Sequence, residues 1–283
     1  MKGNLYLVAT PIGNLDDITI RAIKILKEVD IIAAEDTRHT LKLLNHLKIK
    51  KPLTSYYKQT EKNKSNVLIS KLLEGQNIAL VSDAGTPGIS DPGEEIVRQA
   101  IKNEIEVIPI PGACALINAL ICSGMNTTEF SFIGFLPVNQ TEKRKKLEEF
   151  EQENKTLIFY EAPHKLLSTL QKMLEIFGNR KVVLARELTK IHEEYIRGTL
   201  EDVLQKQTEP KGEYVIIVEG NKERQTEELI LNGLSLESHY EYYKNKGLSK
   251  KETIKAIASD RKTNKNEIYQ YFLNKDNENY PEN

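Results

Sequence analysis

Short apolar runs alternate with stretches in which apolar residues recur every three or four positions, and this rhythm governs the chain from Leu5 to Glu219. Leu5 to Ala9 is an uninterrupted apolar run closed by Thr10, Pro11, Ile12 and Gly13, the pattern of a strand buried on both faces. Ile18, Ala22, Ile25, Leu26 and Val29 then fall at spacings of four, three, one and three, which places them on one helical face. A second buried strand, Ile31 to Ala34, ends in Glu35, Asp36, Thr37 and Arg38, and Leu41, Leu44 and Leu47 continue as a helix. The alternation repeats with helices over 66–74 and 94–101 and strands over 78–82 and 105–110. Short apolar strands interleaved with amphipathic helices predict a parallel sheet covered on both faces. Past the small-residue stretch 113–125, strands are predicted at 130–136, 156–161, 181–187, 193–198 and 213–219, with helices near 141–152, 163–177 and 199–206. Several of these strands follow one another through short connections, which predicts a mixed sheet.

The expected architecture is therefore α/β: an N-terminal parallel α/β domain over 1–122 and a second α/β domain with a mixed sheet over 123–221. From Asn221 the chain turns polar and charged, and 222–283 reads as a small helical module with a polar tail from Lys275 to Asn283 expected to lack order. Ser249 with Glu252, and Asn264 with Glu267, have the spacing of capping boxes. Residues 244–275 carry nine Lys or Arg against three Asp or Glu, so the module is basic although the whole chain has a net charge of −1. Tyr240, Tyr242 and Tyr243 serve there either to stack on bases or to pack the helices.

Residues 81–93 form the most shaped segment. The apolar run Ile78 to Val81 stops at a carboxylate, Asp83, and Gly85, Pro87, Gly88, Pro92 and Gly93 follow within ten residues. Glycine and proline at this density impose backbone dihedrals that other residues resist. The next helix start reads as Asp91 capping, Pro92 at the first position and Glu94 three after the cap. Turns at 10–15 and 109–115 likewise follow apolar strands, and open α/β sheets place their ligands at such carboxyl ends. Neither G-x-G-x-x-G nor G-x-x-x-x-G-K-[ST] occurs, which counts against dinucleotide and P-loop chemistry. Backbone, small side chains and Asp83 suit a neutral to cationic small molecule better than a polyphosphate. Asp83 alone serves equally as a ligand contact or a loop cap.

Composition adds bounds. Hydrophobic residues make up 39% and charged residues 29% of the 283, a soluble globular balance. No apolar run is long enough to span a bilayer, and the strand that begins at Leu5 leaves no space for a secretory leader. Cys114 and Cys122 are too few for a metal cluster or disulfide framework, so no metal is expected and a reduced, cytoplasmic setting fits.

The motifs, taken in order, resemble the bacterial ribosomal RNA 2′-O-methyltransferases of the tetrapyrrole-methylase superfamily. The matching stretches are Leu7 to Leu15, Ala34 to Arg38, Val81 to Gly93, Pro111 to Ala115, Gly134 to Pro137, Leu157 to His164, Leu184 to Lys190, Arg197 to Leu200 and Lys211 to Glu213. The resemblance implies two α/β domains with S-adenosylmethionine in the cleft between them, a homodimer, and a cytidine ribose in the decoding centre of small-subunit (16S) ribosomal RNA as the target. By position, Pro11, Asp83, Ile89, Cys114 and Ala115 would line the cofactor site from the first domain, and Tyr160 and Gly212 from the second. The sequence departs from the family pattern in three places: Tyr57 to Thr60 stand where two histidines are common, His39 stands where Arg is usual, and so does Lys165.

A ribose hydroxyl is a poor nucleophile at neutral pH and needs a base or a nearby cation. Candidates at strand ends are Glu35, Glu161, His164, Glu187 and Lys190, with Glu35, His164 and Lys190 put forward as catalytic; Glu187 with Lys190 also reads as an ion pair, and His164 as a helix cap. Arg38 and Arg186 can steer phosphates, and Lys143, Arg144, Lys145 and Lys146 can grip them or form a solvated helix face. Two further readings stay open: a small-molecule tetrapyrrole-type methyltransferase, and a non-catalytic RNA-binding assembly factor.

Overall fold

The computed structural model describes residues 1–207, 209–222 and 230–279, with side chains as far as 274. Two compact units emerge: 1–151 with 155–219, and 152–154 with 220–283.

The first unit holds two five-stranded sheets among the described residues. The first sheet is wholly parallel in the order β3-β2-β4-β1-β5, from β1 (Leu5–Val8), β2 (Ile31–Ala34), β3 (Leu53–Ser55), β4 (Ile78–Val81) and β5 (Val107–Ile110). Successive residues of β4 divide between its faces. Ile78 and Leu80 join Leu68, Leu72, Ile96 and Ala100 of α3 (Glu61–Leu73) and α4 (Glu94–Lys102). Ala79 and Val81 join Ala22, Leu26 and Leu44 of α1 (Ile20–Glu28) and α2 (Thr37–His46). Both faces are covered, as the unbroken apolar strands require. Strand β3 was not expected; three residues that include Thr54 and Ser55 make an edge strand too short and polar to register in a pattern.

The second sheet is mixed, β6-β7-β10-β8-β9, from β6 (Phe130–Phe135), β7 (Thr156–Glu161), β8 (Lys181–Arg186), β9 (Glu194–Thr199) and β10 (Tyr214–Val218). Only β6 and β7 run parallel; the other pairs are antiparallel. One face carries a core of Phe159, Leu184 and Ile216 packed with residues of α6 (Gln140–Glu148), α7 (Pro163–Phe177) and α8 (Leu200–Lys206). The other face receives α5 (Ala115–Ile121) through Leu116, Ala119 and Leu120 against Ile158, Val183 and Val215. Side chains of the sheet also meet the ends of α5. The Leu116 amide donates to the Tyr160 hydroxyl at 3.2 Å, the Tyr195 hydroxyl donates to the Asn118 carbonyl at 3.3 Å, and Arg197 donates to the Cys122 carbonyl at 2.6 Å. Free helix-end groups are thereby satisfied by the surface on which the helix lies. The α/β class with two sheets and C-terminal helices agrees with the expectation.

The start of α4 differs from the reading of the sequence. The helix begins at Glu94, with Gly93 before it at φ +154° and no capping side chain of its own. Its free amides are met from α3: Glu61 Oε1 accepts from Gly93 N at 2.9 Å and from Glu95 N at 3.3 Å. A carboxylate from another helix replaces the local cap. Asp91 is thereby released for another use.

In the second unit, α9 (Leu236–Asn245), α10 (Lys250–Asp260) and α11 (Lys265–Asn279) enclose Ile254, Ile257, Ala258, Ile268 and Phe272. The Ser249–Glu252 capping box forms. At the next helix, Thr263 takes the Glu267 carboxylate at 2.7 Å, while Asn264 accepts from Asn266 N at 2.9 Å. Tyr240 packs on Phe272, and Tyr243 donates to Asp260 beside the buried His239. Helix α11 continues to Asn279, so it takes up much of the expected tail; residues 280–283 lie outside the described residues.

The turn after β1 and the turn after β4 are joined by a reciprocal pair of hydrogen bonds. Thr10 N donates to Gly85 O at 2.9 Å and Gly85 N donates to Thr10 O at 3.0 Å. Gly85 sits at φ +85°, and a Cβ there would come within 3.1 Å of Ile12 Cγ2. Gly85→Ala is expected to cost about 1–2 kcal/mol, since L-residues resist this region. Denaturant titration should show a lower midpoint with an unchanged slope.

Candidate active site

Three turns meet at the carboxyl end of the parallel sheet. Besides the Thr10–Gly85 pair, Thr10 Oγ1 donates to Ser82 O at 3.3 Å, and Thr86 Oγ1 donates to Ala113 O at 3.1 Å. Gly112 faces Ala9, whose Cβ would stand 2.9 Å from a Cβ at 112, so the third turn lies directly against the end of the first strand. Across from them, a second contact is made by the loop after β8. A Cβ on Gly13 would collide with Lys190 Cγ, and Glu187 and Thr189 in that loop hold φ of +50° and +65°. Non-glycine residues in that region store strain, which functional loops often carry.

Between these walls lies a cavity of about 440 Å³, within the range of small-molecule sites. Its first wall comes from the turn after β4, with Asp83 to Thr86 and Ile89 to Asp91, and from Cys114 and Ala115 at the start of α5. Its second wall comes from the second sheet: Phe135 at the end of β6, Tyr160 to Pro163, Ala185 and Leu188, and Glu213 to Val215. Tyr160 is locked by edge-on contacts with Phe132 and Phe135 at 5.0 and 5.5 Å. Burial pushes its hydroxyl up to about 12, so it remains protonated.

The charge of the cavity is one-sided. Glu35, Asp83, Asp91, Glu161 and Glu213 line it, and no Lys or Arg among the described residues does. Asp83 is held in place, its Oδ1 accepting from the Asp36 amide at 2.9 Å. Burial lifts Asp91 to about 6, with Asp83 adding repulsion and a Ser82 hydrogen bond opposing the rise. Burial likewise raises Glu35, and the charges of Asp91 and Asp83 add to it. An anionic recess of this kind suits a small cation and disfavours a phosphate.

The structure brings together Glu35, Asp83, Ile89, Cys114, Ala115 and Tyr160 of the residues expected from the sequence. Pro11 and Gly212 are not in the wall but adjoin Ile12 and Glu213, which are. Gly212, at φ +82°, leaves space that the Glu187 carboxylate fills. His164 is exposed on the first turn of α7, next to the wall residue Pro163. Lys190 lies outside the wall, with its ammonium 3.0 Å from Glu187 and 2.9 Å from Glu213. Those two carboxylates outweigh burial and raise it, so it stands as a fixed cation. Arg38 is exposed and paired with Asp36 at 2.7 Å; Arg186 pairs with Glu194 at 3.3 Å and donates to the Lys211 carbonyl.

Lys143 requires a correction as a phosphate contact. Its side chain is 2% exposed, donates to Thr169 Oγ1 at 2.7 Å and lies 3.8 Å from Glu161. Burial lowers it, and the Glu161 charge opposes that. On α6 the inward face takes Lys143 and Leu147, leaving Arg144 and Lys145 outside with Lys146 half-buried. Asp91, Phe135, Leu188, Glu213, Tyr214 and Val215 were not anticipated. Asp91 was read as a cap, and the others depend on which strands of the mixed sheet are neighbours, as where Tyr214 pairs with Glu161.

Comparison with known proteins agrees with this geometry. The family model for tetrapyrrole (corrin/porphyrin) methylases matches residues 4–204. A protein of Halalkalibacterium halodurans named ribosomal RNA small subunit methyltransferase I is 53% identical over 96% of this chain and 95% of its own length. The Bacillus subtilis protein of the same name is 47% identical over 95% and 94%. Among solved structures, the methyltransferase CobJ superposes with a TM-score of 0.57 at 18% identity, covering 77% of this chain and 94% of its own. A uroporphyrin-III C-methyltransferase from Thermus thermophilus, solved with S-adenosyl homocysteine, gives 0.55 at 17% identity, over 77% and 97%. The fold, the family model and the close relatives agree: the chain belongs to the tetrapyrrole methylase family, in the group of the small subunit methyltransferase I proteins.

Proposed function

We propose that the protein transfers a methyl group from S-adenosylmethionine to the ribose 2′-hydroxyl of a cytidine in the decoding centre of small-subunit ribosomal RNA. The observation that carries this reading is the 53% identity, over nearly the whole chain, to a relative named for that RNA. The choice of a cytidine 2′-oxygen rests on the motif resemblance between Leu7 and Glu213. The reading includes a homodimer working in the bacterial cytoplasm. Ile117 and Ile121, exposed one helical turn apart on α5, offer such a pair of subunits an apolar face.

When bound, S-adenosylmethionine supplies a methyl group activated on a sulfonium. The cavity fits such a molecule in volume and in the sign of its charge: carboxylates line it, and no Lys or Arg among the described residues does. Asp83, Ile89, Cys114, Ala115 and Tyr160 are proposed to surround it, with Pro11 and Gly212 shaping the turns that carry Ile12 and Glu213. The walls fix the line of approach, and such alignment supplies much of the acceleration of a displacement. Glu35 and Asp91, both raised, are proposed to accept the hydroxyl proton, with His164 passing it to solvent. Lys190 remains an ammonium and is assigned to steady developing negative charge. Arg38, Arg144, Lys145, Lys146 and Arg186 are proposed to meet RNA phosphates, joined by the basic helices of the second unit.

Incubating the protein with labelled S-adenosylmethionine and undermethylated small subunits, then mapping the label, should find one ribose-methylated cytidine. Label on a base, or on a tetrapyrrole in preference to the subunit, would contradict the reading. Replacing Arg144, Lys145 and Lys146 by Gln should weaken binding to small-subunit RNA and lower its salt slope by about one for each phosphate no longer neutralised.

A pH dependence follows from Asp91. As pH rises through about 6 its carboxyl ionises, and affinity for a cation grows with the ionised fraction. Between pH 5 and 7, S-adenosylmethionine affinity should rise up to roughly tenfold and S-adenosylhomocysteine affinity less, the difference vanishing in Asp91→Asn. Equilibrium dialysis across this range checks it, with the Asp91→Asn variant reporting the contribution that remains from Glu35.

A further inference from the structure

The register between β6 and β7 breaks between Phe132 and Gly134, and the break decides what faces the cavity. Phe132 pairs with Ile158 and Phe135 with Tyr160, so three steps along β6 match two along β7. Side chains alternate along a strand, which keeps Ile158 and Tyr160 on one face, the face that receives α5. Without the extra residue Phe135 would point to the opposite face. With it, Phe132 and Phe135 both stand beside Tyr160. Ile133 turns to the core on the other face, and Gly134 takes φ +73° to complete the bulge. Bulges are uncommon in parallel pairs and collect beside active sites, where they re-aim a side chain.

The result is an aromatic ring at the rim of the cavity. Phe135 lines the cavity and is 60% exposed, and Val138 beyond it is exposed as well. On the facing wall Ile89 is also exposed, and a Cβ on Gly134 would lie 3.2 Å from Ser90 Oγ, so the two walls meet next to this ring. Phe132 already braces Tyr160 at 5.0 Å, so that tyrosine does not require a second aromatic residue turned toward solvent. The edge-on contact with Tyr160 at 5.5 Å instead fixes the orientation of the exposed ring.

The charge on either side of the ring says what can lie on it. The recess lined by Glu35, Asp83 and Asp91 disfavours phosphate, so a nucleotide whose hydroxyl reaches the methyl donor must keep its phosphates outside. The chain leaves Phe135 through Leu136 to Asn139 and enters α6, which presents Arg144 and Lys145 to solvent. A nucleotide with its sugar in the recess and its phosphates outside has its base at the level of the rim. A flat apolar ring offers any base a stacking face and reads no hydrogen-bond pattern.

We infer that Phe135 is the stacking platform for the base of the target nucleotide, holding that nucleotide, turned out of its own stack, at the mouth of the cavity. This rests on the RNA methyltransfer reading above.

The test uses the full chain. Phe135→Ala and Phe135→Leu remove the aromatic face, and Phe135→Tyr keeps it. Steady-state kinetics with undermethylated small subunits, calorimetry with S-adenosylhomocysteine and sedimentation of the free protein are measured for each. In Phe135→Ala, kcat/KM for the subunit should fall roughly 5- to 150-fold. Phe135→Leu should lose nearly as much, and Phe135→Tyr should stay close to the unaltered protein. Affinity for S-adenosylhomocysteine and oligomeric state should be the same in all. With p-benzoylphenylalanine placed at position 135, irradiation in the presence of the subunit should crosslink the nucleotide that becomes methylated or its immediate neighbour, as mapped by primer extension. Unchanged kcat/KM in Phe135→Ala, or a crosslink remote from the methylated nucleotide, would overturn the inference and leave the methyltransfer reading intact. So would an equal loss of S-adenosylhomocysteine affinity, which assigns the ring to the donor's adenine or to support of Tyr160. A shift in oligomeric state would do the same, by assigning it to a subunit interface. Failure of the unaltered protein to methylate small subunits would remove both.

Discussion

The two hydrogen bonds exchanged by Thr10 and Gly85 hold the site together. They tie the turn after the first strand to the turn after the fourth, and they require a residue without a Cβ where Ile12 passes. Thr86 then reaches the third turn through Ala113, so three segments far apart in the chain share one local scaffold. With these backbones fixed, Asp83 and Asp91 have little choice of direction. Charges held close together by a rigid frame repel one another, and this repulsion adds to burial in raising Glu35 and Asp91.

The second sheet contributes a wall of different character. Phe132 and Phe135 clamp Tyr160, whose hydroxyl in turn meets the start of α5. Helix α5 follows directly from the third turn, so one aromatic side chain links the cavity wall to the helix that bounds it. The strained loop around Glu187 and Thr189 passes close to Gly13. Lys190 is held there by Glu187 and Glu213, the latter itself a wall residue. The carboxylates of the first wall thus stand opposite an aromatic and aliphatic wall in which Glu161 and Glu213 are paired with Lys143 and Lys190.

The parallel sheet and the three turns were legible in the sequence because their signals are local. Apolar runs of four residues and clustered glycine and proline are readable within ten positions. The wall contributed by β7, β8 and β10 was not legible as a wall, since no local pattern says that Tyr214 lies opposite Glu161. Long-range substitution of roles misled in two places. Glu61 caps α4 from another helix, which left Asp91 for the cavity. Lys143, sitting in a run of four basic residues, looked like surface, yet it lies on the inward stripe of α6 with Leu147. Charge runs conceal such a residue because composition carries no helical phase.

We propose that the space bounded by the Asp83–Asp91 turn and the Tyr160–Glu161 wall holds the methyl donor. The most direct measurement is a crystal structure of the protein grown with S-adenosylhomocysteine. Density for the ligand is expected between Asp83 and Tyr160, with Cys114 and Ala115 in contact. Density at any other place, with this cavity filled only by solvent, would contradict it.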